Sequence, residues 1–464
     1  MRWILYNVLF AIAYAAMMPK FLLRMKKRGG YRAHFAERFG RYDPGTARRL
    51  AEKPRVWVHA VSVGEANLAG QVLAELRRRD PAASFVLSTT SSTGRAVCER
   101  LVGPDDVCVY LPLDFPPCVR RALRAANVRA MVLVEAELWP NLLRALHRRG
   151  VPLLLANGRI SDRSAPGYRR LRFFFGPVLR LFDALLVQSE LDRDRLLAAG
   201  APADRTRVTG SIKFDVAPPA PEKIARARET LACAGIVPSA AAPGERSEPE
   251  GVVQHSAFSI QHSPIVLLGG STWPGEELAL ARAWRDALPA CPDARLVLVP
   301  RHFERAAEVA AELESAGFRV LRRSQAAADH QTTRPPDRET VLLVDTTGEL
   351  FALYALSDLV FVGKTLAPNE GGQNMIEPAS LGRATLVGPH TENFKPAMEV
   401  FRREGAVLEV PDADALSREV SRLLSDASAR AALGARAAAA VAGSRGALAR
   451  TCDAIESVLS APRP

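Results

Sequence analysis

The sequence predicts two doubly wound α/β domains joined by a linker, and three observations carry that expectation. Short apolar runs alternate with helical patterns along most of the chain, which is the mark of βαβ units and parallel sheets covered on both faces. A strand, a turn of small and hydroxyl residues, a Gly-Glu pair and a helix occur in that order twice, once near the start of each half. The chain has 464 residues, 48% hydrophobic and 24% charged, which is ample for more than one full core and excludes wholesale disorder.

The first strand-turn-helix unit is VWVHAVSVGEANLAGQVLAEL, from Val56 to Leu76. Val56 to His59 reads as a buried strand, Ala60 to Gly64 as a sharp turn, and Leu68, Val72, Leu73 and Leu76 recur at helical spacing. Glu65 then stands at the helix mouth, above the carboxyl end of a strand, where open α/β sheets place ligands. Ser62 and Glu65 also fit a capping box, and on spacing alone that is the favoured reading. The second unit runs from Ile265 to Ser271 through Thr272, Gly275 and Glu276 into LALARAWRDAL.

Further strands are expected at Ser84–Ser88, Val107–Leu111, Ala130–Val134, Pro152–Ala156 and Ala184–Gln188. The second half adds Arg295–Val299, Phe318–Leu321, Val341–Val344, Leu359–Val362, Ala384–Val387 and Ala406–Val410. These give a first domain over residues 24–215 and a second over 264–464, separated by a linker at 216–263. That linker carries Pro218, Pro219 and Pro221, a helical segment, and then an aperiodic insertion from about Val237 to Pro264. The Ala- and Arg-rich stretch from Ala415 to Leu459 reads as terminal helices, the last one folding back over the first domain. Two such domains make a cleft between their strand ends.

Residues 1–23 are read as a membrane anchor. Trp3 to Leu23 is almost uninterrupted apolar sequence of near-spanning length, broken at Pro19-Lys20. Arg24, Lys26, Lys27, Arg28, Arg32, Arg38 and Arg41 follow, so the positive-inside rule puts the body of the protein at the cytoplasmic face of the inner membrane. A cleaved signal peptide and a helix lying in the interface are the competing readings. A net charge of +12 implies an anionic partner. No helix-turn-helix, zinc-finger or RNP pattern occurs, so a membrane surface or a phosphorylated lipid fits better than nucleic acid. The six cysteines form no C-x-x-C pair, which argues against a zinc site or a disulfide framework.

Several clusters fall where strands should end. Glu135-Ala136-Glu137-Leu138-Trp139-Pro140-Asn141 sets two carboxylates and an indole after one strand. Asn157-Gly158-Arg159, Gly210-Ser211-Ile212-Lys213 and Pro300-Arg301-His302 add basic groups suited to a phosphate or a sugar carboxylate. Gly371 to Ala379 should bring backbone close to a ligand and offer free amides at a helix N-terminus, with Glu377 available to ribose hydroxyls. Thr346 to Leu350 reads as a second capping box, making Glu349 structural on first principles. No G-x-G-x-x-G and no Walker sequence occurs, which disfavours a dinucleotide oxidoreductase or a P-loop enzyme. No Asp-x-Asp follows a strand, so no metal is expected.

Taken together, HAVSVGE, EAELWPN, NGRISDRS, QSE, GSIKFD, PRHFER, GEL, GGQNMIEPA and GPHTENF, in order over about residues 31–400, resemble the 3-deoxy-D-manno-octulosonic acid (Kdo) transferases of lipopolysaccharide synthesis. Ala136 stands where the family usually has Thr, and Gln373 where it commonly has His. The resemblance implies a GT-B fold, with two Rossmann-like domains, and inverting transfer of Kdo from CMP-Kdo to a lipid A precursor (lipid IVA) without metal or cofactor. It makes Glu65 the general base and Glu135 and Lys213 transition-state stabilisers. Pro300, Arg301, Gly348, Glu349, Leu350, Asn374, Met375, Ile376 and Glu377 would hold CMP. An inverting displacement at an oxocarbenium-like carbon needs one base on the acceptor side and cationic help for the leaving phosphate, which the residue types can supply. The rival readings are another GT-B enzyme using a UDP-sugar on a membrane lipid, and a non-catalytic lipid-binding scaffold of the same fold.

Overall fold

The computed structural model describes residues 2–28, 34–135, 137–237, 264–326 and 339–461. It divides into two compact units, one formed by Met1–Asp215 with Arg445–Pro464 and the other by Val216–Ser444. The insertion at 238–263, Arg32 and Ala136 lie outside the described residues, as do the side chains of Arg24, Lys26, Lys27 and Arg28.

The first unit is built on a seven-stranded sheet in the order β3-β2-β1-β4-β5-β6-β7. Its strands are β1 (Arg55–His59), β2 (Phe85–Thr89), β3 (Val107–Tyr110), β4 (Val128–Val134), β5 (Leu153–Gly158), β6 (Ala184–Val187) and β7 (Thr206–Val208). All pair in parallel, so helices must cross over both faces and most strands read as nearly continuous buried runs. Side-chain alternation splits the core. Trp57, Val86 and Met131 pack on one face, while Val56, Val58, Phe85 and Val132 pack on the other with Leu68, Val72 and Leu76 of the Val63–Arg79 helix. The second face is closed by the last helix, Ala447–Ser460, through Ala447, Cys452 and Ile455. Arg79 ties it down with ion pairs to Asp453 at 2.6 Å and Glu456 at 2.9 Å. Six of the seven strands fall on the apolar runs of the sequence. β7 was not expected, because a three-residue edge strand that buries only Thr206 leaves no hydrophobic pattern to read.

The second sheet runs β10-β11-β9-β8-β12-β13-β14. Its strands are β8 (Ile265–Thr272), β9 (Ala294–Pro300), β10 (Arg319–Arg322), β11 (Thr340–Leu343), β12 (Leu359–Val362), β13 (Ala384–Val387) and β14 (Leu408–Glu409), again all parallel. The Pro221–Ala232 helix, expected within the linker, belongs to this unit, with Ala227 and Leu231 fully buried. In both sheets the chain leaves the first strand in one direction and returns on its other side. The topological switch points are therefore β1/β4 and β8/β12, and the crevice at their carboxyl ends is where doubly wound sheets bind ligands.

At the N-terminus, Arg2–Arg28 forms one helix with Pro19 inside it. Among the described residues no helix is long and apolar enough to cross a membrane. One face of the helix packs on the first unit. The Tyr6 hydroxyl donates to Asp114 at 2.8 Å, Asn141 donates to Asn7 at 2.6 Å, and Phe10 meets Phe115 and Trp139 edge-on. The other face leaves Ile4, Leu5, Val8, Leu9 and Ile12 exposed.

Candidate functional site

Glu65 sits in the first turn of the Val63–Arg79 helix, at the β1/β4 switch point. The capping box expected there is present. Ser62 Oγ accepts from the Glu65 amide at 3.2 Å and donates to Glu65 Oε1 at 2.9 Å, while Glu65 Oε2 accepts from the Val61 amide at 2.9 Å. Capping and function are not exclusive, because the same bonds that cap the helix hold the carboxylate in one orientation. Burial and the charge of Glu135 both raise the Glu65 pKa, with hydrogen bonds from Val61 and Ser62 pulling it back.

Glu135 follows β4 directly and occupies the left-handed region at φ 67°, uncommon for a residue with a Cβ. Its carboxylate lies 3.2 Å from Lys213 Nζ. The loop that carries Lys213 is fixed from two sides. Asn157, also left-handed at φ 54°, accepts from the Ile212 amide through Oδ1 at 3.0 Å, and Asp215 caps the last helix by accepting from the amides of Gly446 and Leu448 at 2.6 Å. Glu137 completes the group. Burial, and then the charge of Glu65, push its pKa up to about 7. The structure thus brings Glu65, Glu135, Glu137 and Lys213 together, and a small apolar pocket lined by Leu138, Leu155, Ile160 and Leu179 opens beside Glu135 and Arg159.

In the second unit Pro300, Arg301, Gly348, Glu349, Leu350 and residues 371–377 all stand at the carboxyl edge of the sheet, after β9, β11 and β12. Arg301 is exposed and its amide donates to Thr272 O at 3.0 Å. Glu377 accepts from Asn374 Nδ2 at 3.0 Å, and burial raises its pKa. Met375 and Ile376 are buried side chains, so only their backbone is available to a ligand. Two expectations need correction. The helix Leu350–Ala355 begins after Glu349, so Thr346–Glu349 is not a capping box. Instead Glu349 takes hydroxyl hydrogen bonds from Thr346 at 2.7 Å and Thr230 at 2.6 Å. Several of the amides in the stretch expected to offer free donors at its helix N-terminus are also engaged. Gly371 N donates to Glu392, Gly372 N to Lys364 O, Gln373 N to Gly363 O, and Ile376 N to Asn374 Oδ1.

Sequence reasoning did not single out Trp273 and Lys364 at the second switch point, and it named Ser271, Glu276 and His302 without the contacts that join them. Ser271 and Lys364 are left-handed at φ 53° and 62°, Lys364 Nζ lies 4.9 Å from the Trp273 ring centroid, and Trp273 packs edge-on to His302. Trp273 lies between the Thr272 and Gly275-Glu276 positions of the repeated unit, where that pattern assigns it no role, and a lone lysine after a strand ordinarily reads as a solvated charge. Glu276 is 1% exposed. Its carboxylate accepts from the amides of Trp273, Lys364, Thr365 and Leu366 at 2.8–3.0 Å. Gly363 is required here, since a Cβ would stand 2.5 Å from Ser271 O. Among the described residues no group of three or more His, Cys, Asp or Glu is arranged to hold a metal ion.

Residues 33–216 match a family described as 3-deoxy-D-manno-octulosonic-acid transferase (kdotransferase). The chain is similar to the 3-deoxy-D-manno-octulosonic acid transferase of Bordetella pertussis, with 35% identity over 93% of this chain and 94% of that protein. A second relative, the enzyme of that name from Haemophilus influenzae, is 30% identical over 92% of each chain. In three dimensions a glycosyltransferase from Rickettsia africae aligns over 88% of this chain and all of its own with a TM-score of 0.55. At 13% identity it speaks to the fold, which is GT-B.

Proposed function

Because this chain belongs to the 3-deoxy-D-manno-octulosonic acid transferase family, we propose that it moves Kdo from CMP-Kdo to a hydroxyl of a lipid A precursor, with Glu65 as general base. The observation that carries the assignment of the base is the Glu65 carboxylate, held by Val61 and Ser62 at the β1/β4 switch point and raised in pKa by burial beside Glu135. A raised pKa makes the carboxylate a stronger proton acceptor, and fixed orientation removes the cost of aligning it. Glu135 and Lys213, paired at 3.2 Å, supply charge next to that base, stabilising the transition state. In the second unit Arg301, the backbone of Gly348–Leu350 and Asn374–Glu377 hold CMP, with Glu377 on ribose hydroxyls. The test is incubation with CMP-Kdo and tetraacyl lipid A precursor, read by mass spectrometry. Kdo-extended lipid with equimolar CMP is expected. Product only from a UDP-sugar would overturn the donor, and no product from either would favour the non-catalytic reading.

The N-terminal helix is proposed to hold the protein on the cytoplasmic face of the inner membrane by lying in the interface instead of spanning it. Support comes from its two faces. Tyr6 and Asn7 hydrogen-bond inward, and Ile4, Leu5, Val8, Leu9 and Ile12 form an outward apolar stripe, the pattern of an interfacial helix. The basic run from Arg24 to Arg41 would add about 1 kcal/mol per charge at an anionic surface. Deleting residues 1–23 would also strip the packing of Tyr6 and Phe10, so the cleaner test replaces Ile4, Leu5, Leu9 and Ile12 with Gln. Loss of vesicle binding with unchanged thermal stability is expected, and full retention on vesicles would sink the assignment.

A further inference from the structure

The β8/β12 switch point contains a cation whose placement the fold has over-determined. Lys364 stands one residue beyond the end of β12 and Glu135 directly after β4, each past the strand that returns beside the first strand of its sheet. Both are left-handed, a conformation that glycine adopts at little cost and that strains a side chain with a Cβ. At Lys364 the surroundings enforce it. Glu276 accepts from the amides of Lys364, Thr365 and Leu366, while Lys364 O accepts from Gly372 N at 2.8 Å. The side chain is thereby directed over the Trp273 ring, with Nζ 3.3 Å from where a Cβ on Gly371 would be. Among the described residues no carboxylate pairs with it. The amides of Gly371, Gly372, Gln373 and Ile376 are already taken, so an anion beside the two glycines calls for a side-chain donor.

We infer that Lys364 is a donor-anchoring residue whose ammonium binds an anionic group of the sugar nucleotide, with Gly371 left bare to admit it. The inference rests on the reading that the second unit holds the donor. A half-buried ammonium held beside an aromatic face, with no carboxylate paired to it among the described residues, is a charge-assisted hydrogen-bond donor available to a phosphate or a carboxylate. The donor carries both, on the nucleotide and on the sugar. The experiment compares wild type, Lys364→Met and Lys364→Gly in the full chain by donor KM, equilibrium titration with CMP and with CMP-Kdo, and thermal stability.

A tenfold or larger rise in donor KM is expected for both variants, with acceptor KM unchanged. Lys364→Gly should be at least as thermally stable as wild type, because it relieves the left-handed strain. A merely structural lysine would instead leave donor KM unchanged. If CMP and CMP-Kdo weaken equally, the contact is to the phosphate; if only CMP-Kdo weakens, it is to the sugar carboxylate. Unchanged titrations and KM in variants of a wild type that binds CMP overturn the inference alone. A wild type that binds neither ligand overturns the donor reading and the inference with it.

Discussion

The two halves each place a glutamate in the first turn of the helix after the first strand, yet the two side chains are put to different uses. Glu65 and Glu276 each occupy the first turn of the helix that follows the first strand of a sheet. Glu276 is buried and its two oxygens serve four backbone amides, which leaves it nothing to offer a substrate. Glu65 is half-buried, serves one amide and one hydroxyl, and faces two other carboxylates and a lysine. A glutamate in the first helical turn after the first strand therefore marks a helix start in both units and an active group in only one. What separates them is how much of the carboxylate's acceptor capacity the backbone consumes.

The sharpest way to break this comparison is to remove each charge while keeping each shape. Glu65→Gln retains a group able to hold the turn but cannot take a proton. Turnover should fall by about 10² to 10⁴ with donor KM and melting temperature nearly unchanged. Near-normal turnover would reduce Glu65 to a cap and move the search for the base to Glu135 and Glu137. The matching change, Glu276→Gln, keeps one acceptor oxygen and loses the other, stranding amides among Trp273, Lys364, Thr365 and Leu366. Each buried donor left unmet costs about 1–3 kcal/mol, so calorimetry should show a large loss of stability. If Glu276→Gln melts like wild type while losing only turnover, the two glutamates share a role after all.

A third substitution extends the test to the nucleotide side. As a ribose ligand Glu377 contributes equally in ground and transition states, so Glu377→Ala should act through donor affinity by about 1.5–3 kcal/mol and leave kcat close to wild type. A kcat defect at saturating donor would assign it to the chemical step instead.

Thirteen of the fourteen strands were legible, most of them because buried parallel strands are continuous apolar runs. The groups around Glu65 were legible because Glu135, Glu137 and Lys213 each follow such a run within one or a few residues, or stand in a motif that resembles a family. The neighbourhood of Lys364 was not, for a physical reason. Its position depends on a φ of 62° imposed by Glu276 from 88 residues away, and backbone handedness at a non-glycine residue leaves no trace in periodicity or composition. The same limit explains the amides of the Gly371-Gly372 turn. Glycines announce a close approach of backbone, but not that Glu392 and the Lys364 carbonyl already occupy the donors.

The smallest effect concerns the residue that has no counterpart at the second switch point. Glu137 is pushed up to about 7 by burial and then by the charge of Glu65, so the folded state binds its proton more tightly than an unfolded chain, where a glutamate titrates near 4.5. For an acid shifted upward, the folded protein holds more protons than the unfolded one between those two values. Its contribution to stability is therefore present at low pH, is lost as pH rises from about 4.5 to about 7, and is level above that. Glu137→Gln mimics the protonated form at every pH. Its melting temperature should match wild type below about pH 4.5 and exceed it by a margin that grows toward pH 7, on the order of 2–4 °C for each kcal/mol relieved. A melting difference independent of pH would mean that the fold does not shift Glu137 at all, and that Glu65 works beside a second charge at neutral pH.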